Sequence, residues 1–242
     1  MQAAAQPRLY HCGRANSHVQ INGRGDDSAW ASAPWTDYFV DIEGDAKPAP
    51  RFCTRAKMLW NDQYLYVFAH LEEPHVWGTL TEKNSIIFHD NDFEVFIDPD
   101  GDGENYYEFE INALNTIWEL TLVKRYSHGG PAILGTNLPG LISKVHIDGT
   151  LNDPADVDQS WSVEIAFPFS ELNAYCKGGN YPPRYGDTWR INFSRVQWRH
   201  EIIDGKYRKI PKEISPEDNW VWSPQGVIDM HQPEHWGIVE FV

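Results

Sequence analysis

The sequence DNDFEVFIDPDGDGENYYEFEIN, residues 90–112, contains two runs of alternating apolar and polar residues on either side of an Asp- and Gly-rich turn. Successive side chains of a β-strand point to opposite faces, so this alternation predicts two strands of one hairpin. The apolar residues of both runs then share one face: Phe93, Val95, Ile97, Tyr107, Phe109 and Ile111. We predict that this face enters a hydrophobic core.

The opposite face of the predicted hairpin is acidic. It carries Asp92, Glu94, Glu108, Glu110 and Asn112. If the hairpin is symmetric about residues 101–102, Glu94 lies opposite Glu110, and Asp92 lies opposite Asn112. Like charges directly opposite each other destabilise a sheet. We therefore expect these carboxylates either to splay into solvent or to meet a group that matches them.

The turn between the two runs resembles the first half of an EF-hand loop, with Asp98, Asp100 and Asp102 as candidate calcium ligands. An EF-hand needs a bidentate Glu at the twelfth position, where this chain has Phe109, and it needs flanking helices rather than strands. The EF-hand is therefore excluded. Two interpretations stay open, a looser structural calcium site and a solvated turn shaped by Asp and Gly, and we expect no required cofactor.

The rest of the chain is predicted to be all-β, because short alternating runs end at Gly, Pro, Asn or Asp. The candidate strands are 19–21, 52–60, 64–71, 93–97, 106–112, 116–123, 141–147, 160–167, 188–197 and 236–242. Only 28–35 and 168–175 favour short helices. No linker or internal repeat divides the chain, so we predict one domain over residues 1–242. The expected fold is a β-sandwich of about ten antiparallel strands, immunoglobulin- or jelly-roll-like.

The charge balance narrows the choice of partners. Acidic side chains outnumber basic ones by 35 to 20, for a net charge of −15. Nucleic acids and anionic membranes are bound through clustered Lys and Arg, so we expect neither as a partner. No run of about 18 apolar residues is present, and we expect no membrane insertion.

The N-terminal sequence MQAAAQPRLY lacks the basic and apolar regions of a signal peptide, but it also fits a mature N-terminus with an added Met. We expect a periplasmic or extracellular location and keep the cytoplasm as the alternative. The three cysteines, Cys12, Cys53 and Cys176, fit no zinc or CxxC spacing. We expect buried free thiols, with a Cys12–Cys53 bridge as the alternative.

The predicted strand TWRINFSRVQ, residues 188–197, offers donors to the acidic face. Arg190, Asn192 and Ser194 share one of its faces, and Arg195 points the other way. Carboxylates, an amide and a guanidinium on one surface are good partners for sugar hydroxyls, which both donate and accept hydrogen bonds. The 11 tryptophans also include rings that can stack on sugars.

Several stretches in succession resemble carbohydrate-binding module family 9. Ile21-Asn22-Gly23 followed by Asp26 to Trp30 is similar to the family's opening motif, and KMLWNDQYLYVFAHLEEP (57–74) to its first strand pair. DNDFEVFIDPD (90–100), WSVEIAFPFSEL (161–172) and WGIVEF (236–241) are similar to later strands, in the family's order. Relative to the compact modules, this chain has long insertions over 126–140 and 200–219, as expected of a stand-alone member.

The resemblance implies a β-sandwich that binds the end of a sugar chain between two rings above a polar floor, with calcium bound structurally. Glu94 and Asn192 correspond to floor residues, and Phe88 to the first ring. An ungapped alignment places Met230 at the second ring, with His231 beside it, so Trp77, Trp198, Trp220 and Trp222 are alternative sources. The family's floor arginine corresponds to Glu110, which reverses the charge.

We therefore predict non-catalytic carbohydrate binding in polysaccharide utilisation. The predicted ligand-binding residues are Phe88, Asp92, Glu94, Glu110, Asn192, Arg195 or Arg190, Trp198, Met230 and His231. The alternative is a glycoside-cleaving enzyme that uses Glu94 and Glu110 as its carboxylate pair. A structural module without a ligand is a third interpretation.

Overall fold

The computed structural model describes residues 6–242, and the alternating runs of the sequence form its strands. Fifteen strands lie within those residues: β1 (Leu9–Arg14), β2 (Val40–Asp41), β3 (Thr54–Trp60), β4 (Tyr64–Glu72), β5 (Asp92–Asp98), β6 (Glu104–Asn112), β7 (Ile117–Lys124), β8 (Ala132–Leu134), β9 (Ile142–Asp148), β10 (Ser160–Pro168), β11 (Thr188–Gln197), β12 (His200–Ile203), β13 (Lys206–Lys209), β14 (Asp218–Val221) and β15 (Gly237–Phe241). The prediction of an all-β fold is confirmed. Residues 1–5 lie outside the described residues.

The predicted strand over 19–21 is wrong. Val19 is buried there, but the segment is irregular: the backbone N–H of Gln20 donates to the carboxylate of Asp27 rather than to a neighbouring strand. Just after it, the N–H groups of Asn22 and Gly23 donate to the carboxylate of Glu164. The first strand lies earlier, at β1. The remaining nine predicted strands are present within a few residues of their expected ends.

Of the two predicted helices, the second is confirmed as α1 (Phe169–Tyr175). The first is reduced to one turn of 3-10 helix, Ser28–Ala31, which begins at Asp27, whose side chain accepts from the N–H of Ala29 at 2.9 Å. Two segments expected to be long loops contain strands instead. β8 lies within 126–140, and β12, β13 and the first half of β14 lie within 200–219.

The strands form two layers that share β1. One layer has the order β8-β7-β6-β5-β11-β15-β1, and the other continues as β1-β3-β4-β10-β9. Residues 9–12 of β1 pair with β15, and residues 13–14 pair with β3, so the strand passes from one layer to the other. Both of these pairings are parallel, which differs from the all-antiparallel sheet predicted from the sequence.

The core lies between the two layers. Val95 and Phe109 of the first layer pack in one apolar cluster with Val67 and Ile165 of the second. All six residues predicted for the apolar face of the 90–112 hairpin belong to this cluster. Their alternation therefore turns the acidic face of the hairpin away from the core.

A buried glutamate ties the N-terminal motif to the second layer. One oxygen of Glu164 on β10 accepts from Nε1 of Trp30 at 2.6 Å, and the other accepts from the backbone N–H of Gly23 at 2.6 Å. Gly23 has a φ of +86°, and a Cβ there would lie 2.7 Å from the carbonyl carbon of Val145. Residues that are 141 positions apart in sequence thus form one hydrogen-bonded corner.

The three cysteines are free. Cys12 and Cys176 are buried as predicted, but the prediction of a buried thiol is wrong for Cys53, which is exposed. Among residues 6–242, no helix is long and apolar enough to cross a membrane.

Candidate functional site

The β5–β6 hairpin places its carboxylates as the alternation predicted. Glu94 pairs with Glu110, Asp92 with Asn112, and Phe96 with Glu108. These side chains do not splay into solvent, since the exposed fraction is 0% for Asp92, 5% for Glu94 and Glu108, and 1% for Glu110. We call the carboxylates of Asp92, Glu94, Glu108 and Glu110 the floor.

A pocket of about 330 Å³ lies over the floor. Three floor residues, Glu94, Glu108 and Glu110, line it together with the apolar side chains of Phe96, Leu120 and Val196. The walls come from outside the hairpin: Phe88, Trp118, Tyr126, Asn219, Ile228, Met230 and His231. Its volume is near the lower end of the range for small-molecule sites, and such sites combine apolar walls with a few polar groups in this way.

Two pairs of aromatic rings line the pocket. The rings of Phe88 and Trp118 lie 6.3 Å apart between centroids and are inclined by 34°. Tyr126 and His231 lie 4.6 Å apart in an edge-to-face arrangement. Trp118 is on β7 directly opposite Glu110, so its ring lies beside a floor carboxylate. Tyr126, next to the imidazole of His231, is 50% exposed and therefore accessible to a ligand.

The loop before β15 holds His231 in place. Its Nδ1 lies 2.8 Å from the hydroxyl of Tyr106, and the preceding residue, Met230, accepts a hydrogen bond from Nε1 of Trp236 at 2.8 Å. Burial lowers the pKa of His231 to about 4, with the nearby charge of Asp229 acting in the opposite direction. The imidazole is therefore neutral at pH 7 and offers one donor and one acceptor.

The floor carboxylates share one electrostatic environment. Burial raises the pKa of Glu94 to about 7. The pKa values of Asp92, Glu108 and Glu110 are also raised, first by burial and then by the neighbouring charge of Glu94. Oxygens of Glu110 and Asp92 accept backbone N–H groups, from Phe88 and Val196, each at 3.0 Å. The floor therefore favours a ligand that donates hydrogen bonds or brings positive charge.

Three other predicted ligand-binding residues lie away from the pocket: Asn192 and Arg195 are buried, and Arg190 is half-buried. The side chain of Asn192 exchanges hydrogen bonds with the backbone of Ser223, and the guanidinium of Arg190 donates to the carbonyl of Trp236. Arg195 faces the space between the layers, where it bonds to Thr54, Gln197 and Glu73. These residues hold strands and loops together rather than lining the pocket.

Trp198 also lies outside the pocket but touches its wall. Its Nε1 donates to the carbonyl of Phe88 at 2.8 Å, and its backbone N–H donates to Asn91. The indole is 3% exposed, and the ammonium of Lys209 lies 3.8 Å from its ring centroid. Trp198 therefore positions Phe88.

The three aspartates at the turn of the hairpin form a separate group. Asp98 accepts the backbone N–H groups of Gly101 and Gly103 at 3.1 and 2.9 Å, and Asp102 accepts that of Glu104 at 2.7 Å. Asp98, Asp100 and Asp102 also offer oxygens within 4.8 Å of one another. Turn geometry alone accounts for these contacts, and calcium binding at the tip stays a prediction.

Comparison with known proteins identifies the domain. The family model "Carbohydrate family 9 binding domain-like" matches residues 21–176. The chain belongs to this family. A search of curated proteins finds no match.

Solved structures share the fold of this family 9 domain. A protein from Bacteroides uniformis ATCC 8492, provisionally described as carbohydrate-binding, superposes with a TM-score of 0.70 at 15% identity, over 98% of this chain and 100% of that one. A family 9 module from Caldicellulosiruptor kristjanssonii was solved with cellotriose and with glucose. The cellotriose complex has a TM-score of 0.58 at 14% identity, over 97% of this chain and 93% of the module. The glucose complex has the same score and identity, over 97% and 96%.

Among the residues that line the pocket of this family 9 domain and were missed by sequence reasoning are an acidic residue of the floor and two aromatic residues of the walls: Glu108, Trp118 and Tyr126. Two of them left a signal. Glu108 belongs to the alternation that gave Glu94 and Glu110, and Tyr126 begins the long insertion over 126–140. Trp118 was hidden because its place opposite Glu110 depends on the register between β6 and β7.

Proposed function

We propose that this family 9 domain binds carbohydrate without cleaving it, with a sugar unit in the pocket over the β5–β6 floor. One observation carries the proposal. A single pocket brings buried carboxylates together with the ring pairs Phe88–Trp118 and Tyr126–His231. Sugars present hydroxyl groups at their edges and apolar C–H faces, which match acceptors below and rings at the sides.

The modest size of the pocket favours a terminal sugar over the middle of a long chain. The similarity to modules solved with cellotriose and glucose makes β-glucan fragments the first ligands to test. In this role the protein would act in polysaccharide utilisation in the periplasm or outside the cell. Calcium at Asp98, Asp100 and Asp102 would then be structural, away from the sugar.

The test is a glycan array followed by isothermal titration of the glycans that bind. Tyr126→Ala and Trp118→Ala should each weaken binding at least about tenfold, because a ring that packs on a ligand commonly contributes more than about 1 kcal/mol. Tyr185→Ala is the matched control, since Tyr185 is 81% exposed and does not line the pocket. Failure of every glycan to bind, or an equal loss in the control, would overturn the proposal.

A second candidate function is cleavage of a glycosidic bond by Glu94 and Glu110. These residues are opposite each other in the hairpin, and retaining glycosidases place their carboxyl groups about 5–5.5 Å apart. The raised pKa of Glu94, about 7, suits a general acid. Incubation of the bound glycans with the protein distinguishes the two functions. Release of products that stops in Glu94→Gln supports the enzyme, and intact glycans support the binding domain.

A further inference from the structure

The four floor carboxylates have no positively charged partner. Among residues 6–242, none of the ion pairs includes Asp92, Glu94, Glu108 or Glu110. Lys212 lines the same pocket, but its ammonium lies 2.6 Å from the carboxylate of Glu217. Buried charges are normally paired or bound to a metal, because removing them from water without compensation is costly. The floor therefore requires positive charge from outside the chain, or protons.

The floor has the spacing of a metal site. Asp92, Glu94 and Glu110 each place one oxygen so that the three lie within 4.8 Å of one another. Calcium binds oxygens at about 2.3–2.6 Å, so two ligands on opposite sides of one ion are roughly 5 Å apart. The three oxygens can therefore contact a single calcium ion. Calcium also accepts irregular arrangements of six to eight oxygens, whereas magnesium demands a near-ideal octahedron.

Two oxygens of the floor carboxylates have no hydrogen-bond partner. Glu108 lines the pocket and is 5% exposed, and its Oε2 has no partner. Oδ2 of Asp92 is likewise buried and unpartnered. A buried polar atom without a partner is uncommon in a native protein and indicates an ion or water that completes its contacts.

A further oxygen beside the floor comes from a different strand. Ser194 on β11 pairs with Glu94 and is fully buried, and its Oγ makes no well-aligned hydrogen bond but lies close enough to the Glu94 carboxylate to lower the pKa of that group. Val196, two residues further on the same strand, lines the pocket, so Ser194 faces the floor. This hydroxyl adds a neutral oxygen to the carboxylates, and neutral oxygens are common in calcium sites.

We propose that the floor binds one calcium ion through Asp92, Glu94 and Glu110, with the oxygens of Glu108 and Ser194 beside it. Because Glu94 and Glu110 line the pocket, the ion's remaining coordination positions face the ligand space. There they are open to water or to sugar hydroxyls. Only this last contact rests on the proposed carbohydrate binding, and the ion site does not. The site is distinct from the aspartates at the turn of the hairpin.

The direct test is isothermal titration of the chelator-treated full chain with calcium chloride alone, and with magnesium chloride for comparison. The wild-type chain should bind calcium more tightly than magnesium. Glu94→Gln and Glu110→Gln should each weaken calcium binding at least about tenfold, since even changes outside the ligands cost that much at metal sites. The double variant Asp100→Asn/Asp102→Asn is the matched control and should keep the floor site.

A second measurement does not depend on the folding of the floor variants. Calcium should raise the unfolding temperature of the tip double variant as it does for the wild type, because a ligand that binds only the folded state stabilises it. No calcium binding in the wild type, or binding lost in the tip variant and kept in Glu94→Gln, would overturn the proposal. Binding of glucosamine in chelator without any calcium binding would also overturn it, because an ammonium group would then be the counter-charge.

Sugar binding is then measured with calcium and with chelator. A sugar that binds only with calcium supports both proposals. Calcium binding without any glycan ligand keeps the ion site and overturns the carbohydrate function. Equal sugar affinity in calcium and chelator, together with no calcium binding, keeps the function and overturns the ion site.

Discussion

The β5–β6 hairpin carries two groups of acidic side chains, and the protein treats them in opposite ways. At the turn, Asp98, Asp100 and Asp102 accept backbone N–H groups from the turn itself, and two of the three are exposed. On the strands, Glu94 and Glu110 are buried side by side and belong to no ion pair among the described residues. The turn group is satisfied by local hydrogen bonds. The floor is satisfied only in part: Glu110 accepts the N–H of Phe88, but Oδ2 of Asp92 and Oε2 of Glu108 are buried without a partner.

This difference shows which acidic pattern carries information about function. Alternating aspartates at a turn are explained by local hydrogen bonds, because Asp and Gly supply the geometry that a tight turn needs. Carboxylates held together on a rigid, buried sheet face have no such local explanation. Their free energy of burial must be offset by a ligand, an ion or protons, so the less conspicuous pattern marks the site.

The largest expected effect is on the pH dependence of stability in chelator, which separates the buried Glu94 from the exposed Asp100. Asp98, the buried residue of the turn, belongs with Glu94 in this respect, because burial raises its pKa to about 7 as well. The pKa of Glu94 is raised in the folded state, so its contribution is fully present below about pH 4.5 and is lost as the pH rises to about 7. The shift corresponds to a loss of about 3 kcal/mol. Urea unfolding from pH 4 to 8 should therefore show a flatter curve for Glu94→Gln than for the wild type. A similar flattening in Asp100→Asn would contradict this assignment.

The second-largest effect is expected on sugar affinity, which a floor variant should lower and a turn variant should not. Glu94→Gln replaces a charged acceptor of sugar hydroxyls, a contact worth about 2 kcal/mol, so affinity should fall roughly 30-fold. Asp100→Asn makes the same chemical change at the turn and should leave affinity within about twofold. Both are measured by isothermal titration in saturating calcium. Equal losses in the two variants would show that the pocket is not the binding site.

At the turn, by contrast, a substitution should lower the stability of the fold and leave sugar affinity unchanged. Asp98→Ala removes the acceptor of the Gly101 and Gly103 N–H groups and should lower the free energy of unfolding by about 1 kcal/mol. Its sugar affinity should be unchanged. Urea unfolding gives the first quantity, with Asp100→Ala as a control expected to lose less than about 0.5 kcal/mol. A large loss of sugar affinity in Asp98→Ala would place the ligand at the turn.

The smallest effect is expected at the wall of the pocket. Trp198→Phe keeps a buried ring but removes the hydrogen bond to the carbonyl of Phe88, so Phe88 is held less firmly. Sugar affinity should fall about threefold, in proportion to one neutral hydrogen bond. Titration of the wild type and Trp198→Phe with the same glycan measures it. A loss as large as that of Glu94→Gln would mean that Trp198 contacts the sugar directly.

Much of the fold could be predicted from the sequence, because the alternation of apolar and polar residues along a strand is a local property. The hairpin register and its six core residues followed from alternation and from the place of the turn. The strand β1 was missed because its six residues are too few to show a clear pattern, and its parallel pairing is formed with strands far along the chain. The short strands β8, β12 and β13 inside the insertions were missed because three or four residues show too little alternation.

The candidate site was only partly accessible. Glu94, Glu110, Phe88, Met230 and His231 were predicted, and they line one pocket. Alternation placed Arg195 on the inner face of β11, but its partners Glu73 and Thr54 come from the other layer, and no local pattern reveals a contact between layers. Trp118 lies in the site because β7 pairs with β6, and Tyr126 because the insertion that follows β7 passes over the pocket. The positions of both residues depend on tertiary structure, which no local pattern reveals.

The most direct test of the central claim is a crystal structure of the chain with calcium and an oligosaccharide, with cellotriose as the first choice. The account predicts a terminal sugar in the pocket, with hydroxyls within hydrogen-bond distance of Glu94 or Glu110 and a ring face against Trp118 or Tyr126. Sugar bound at any other surface, with the floor untouched, would contradict it.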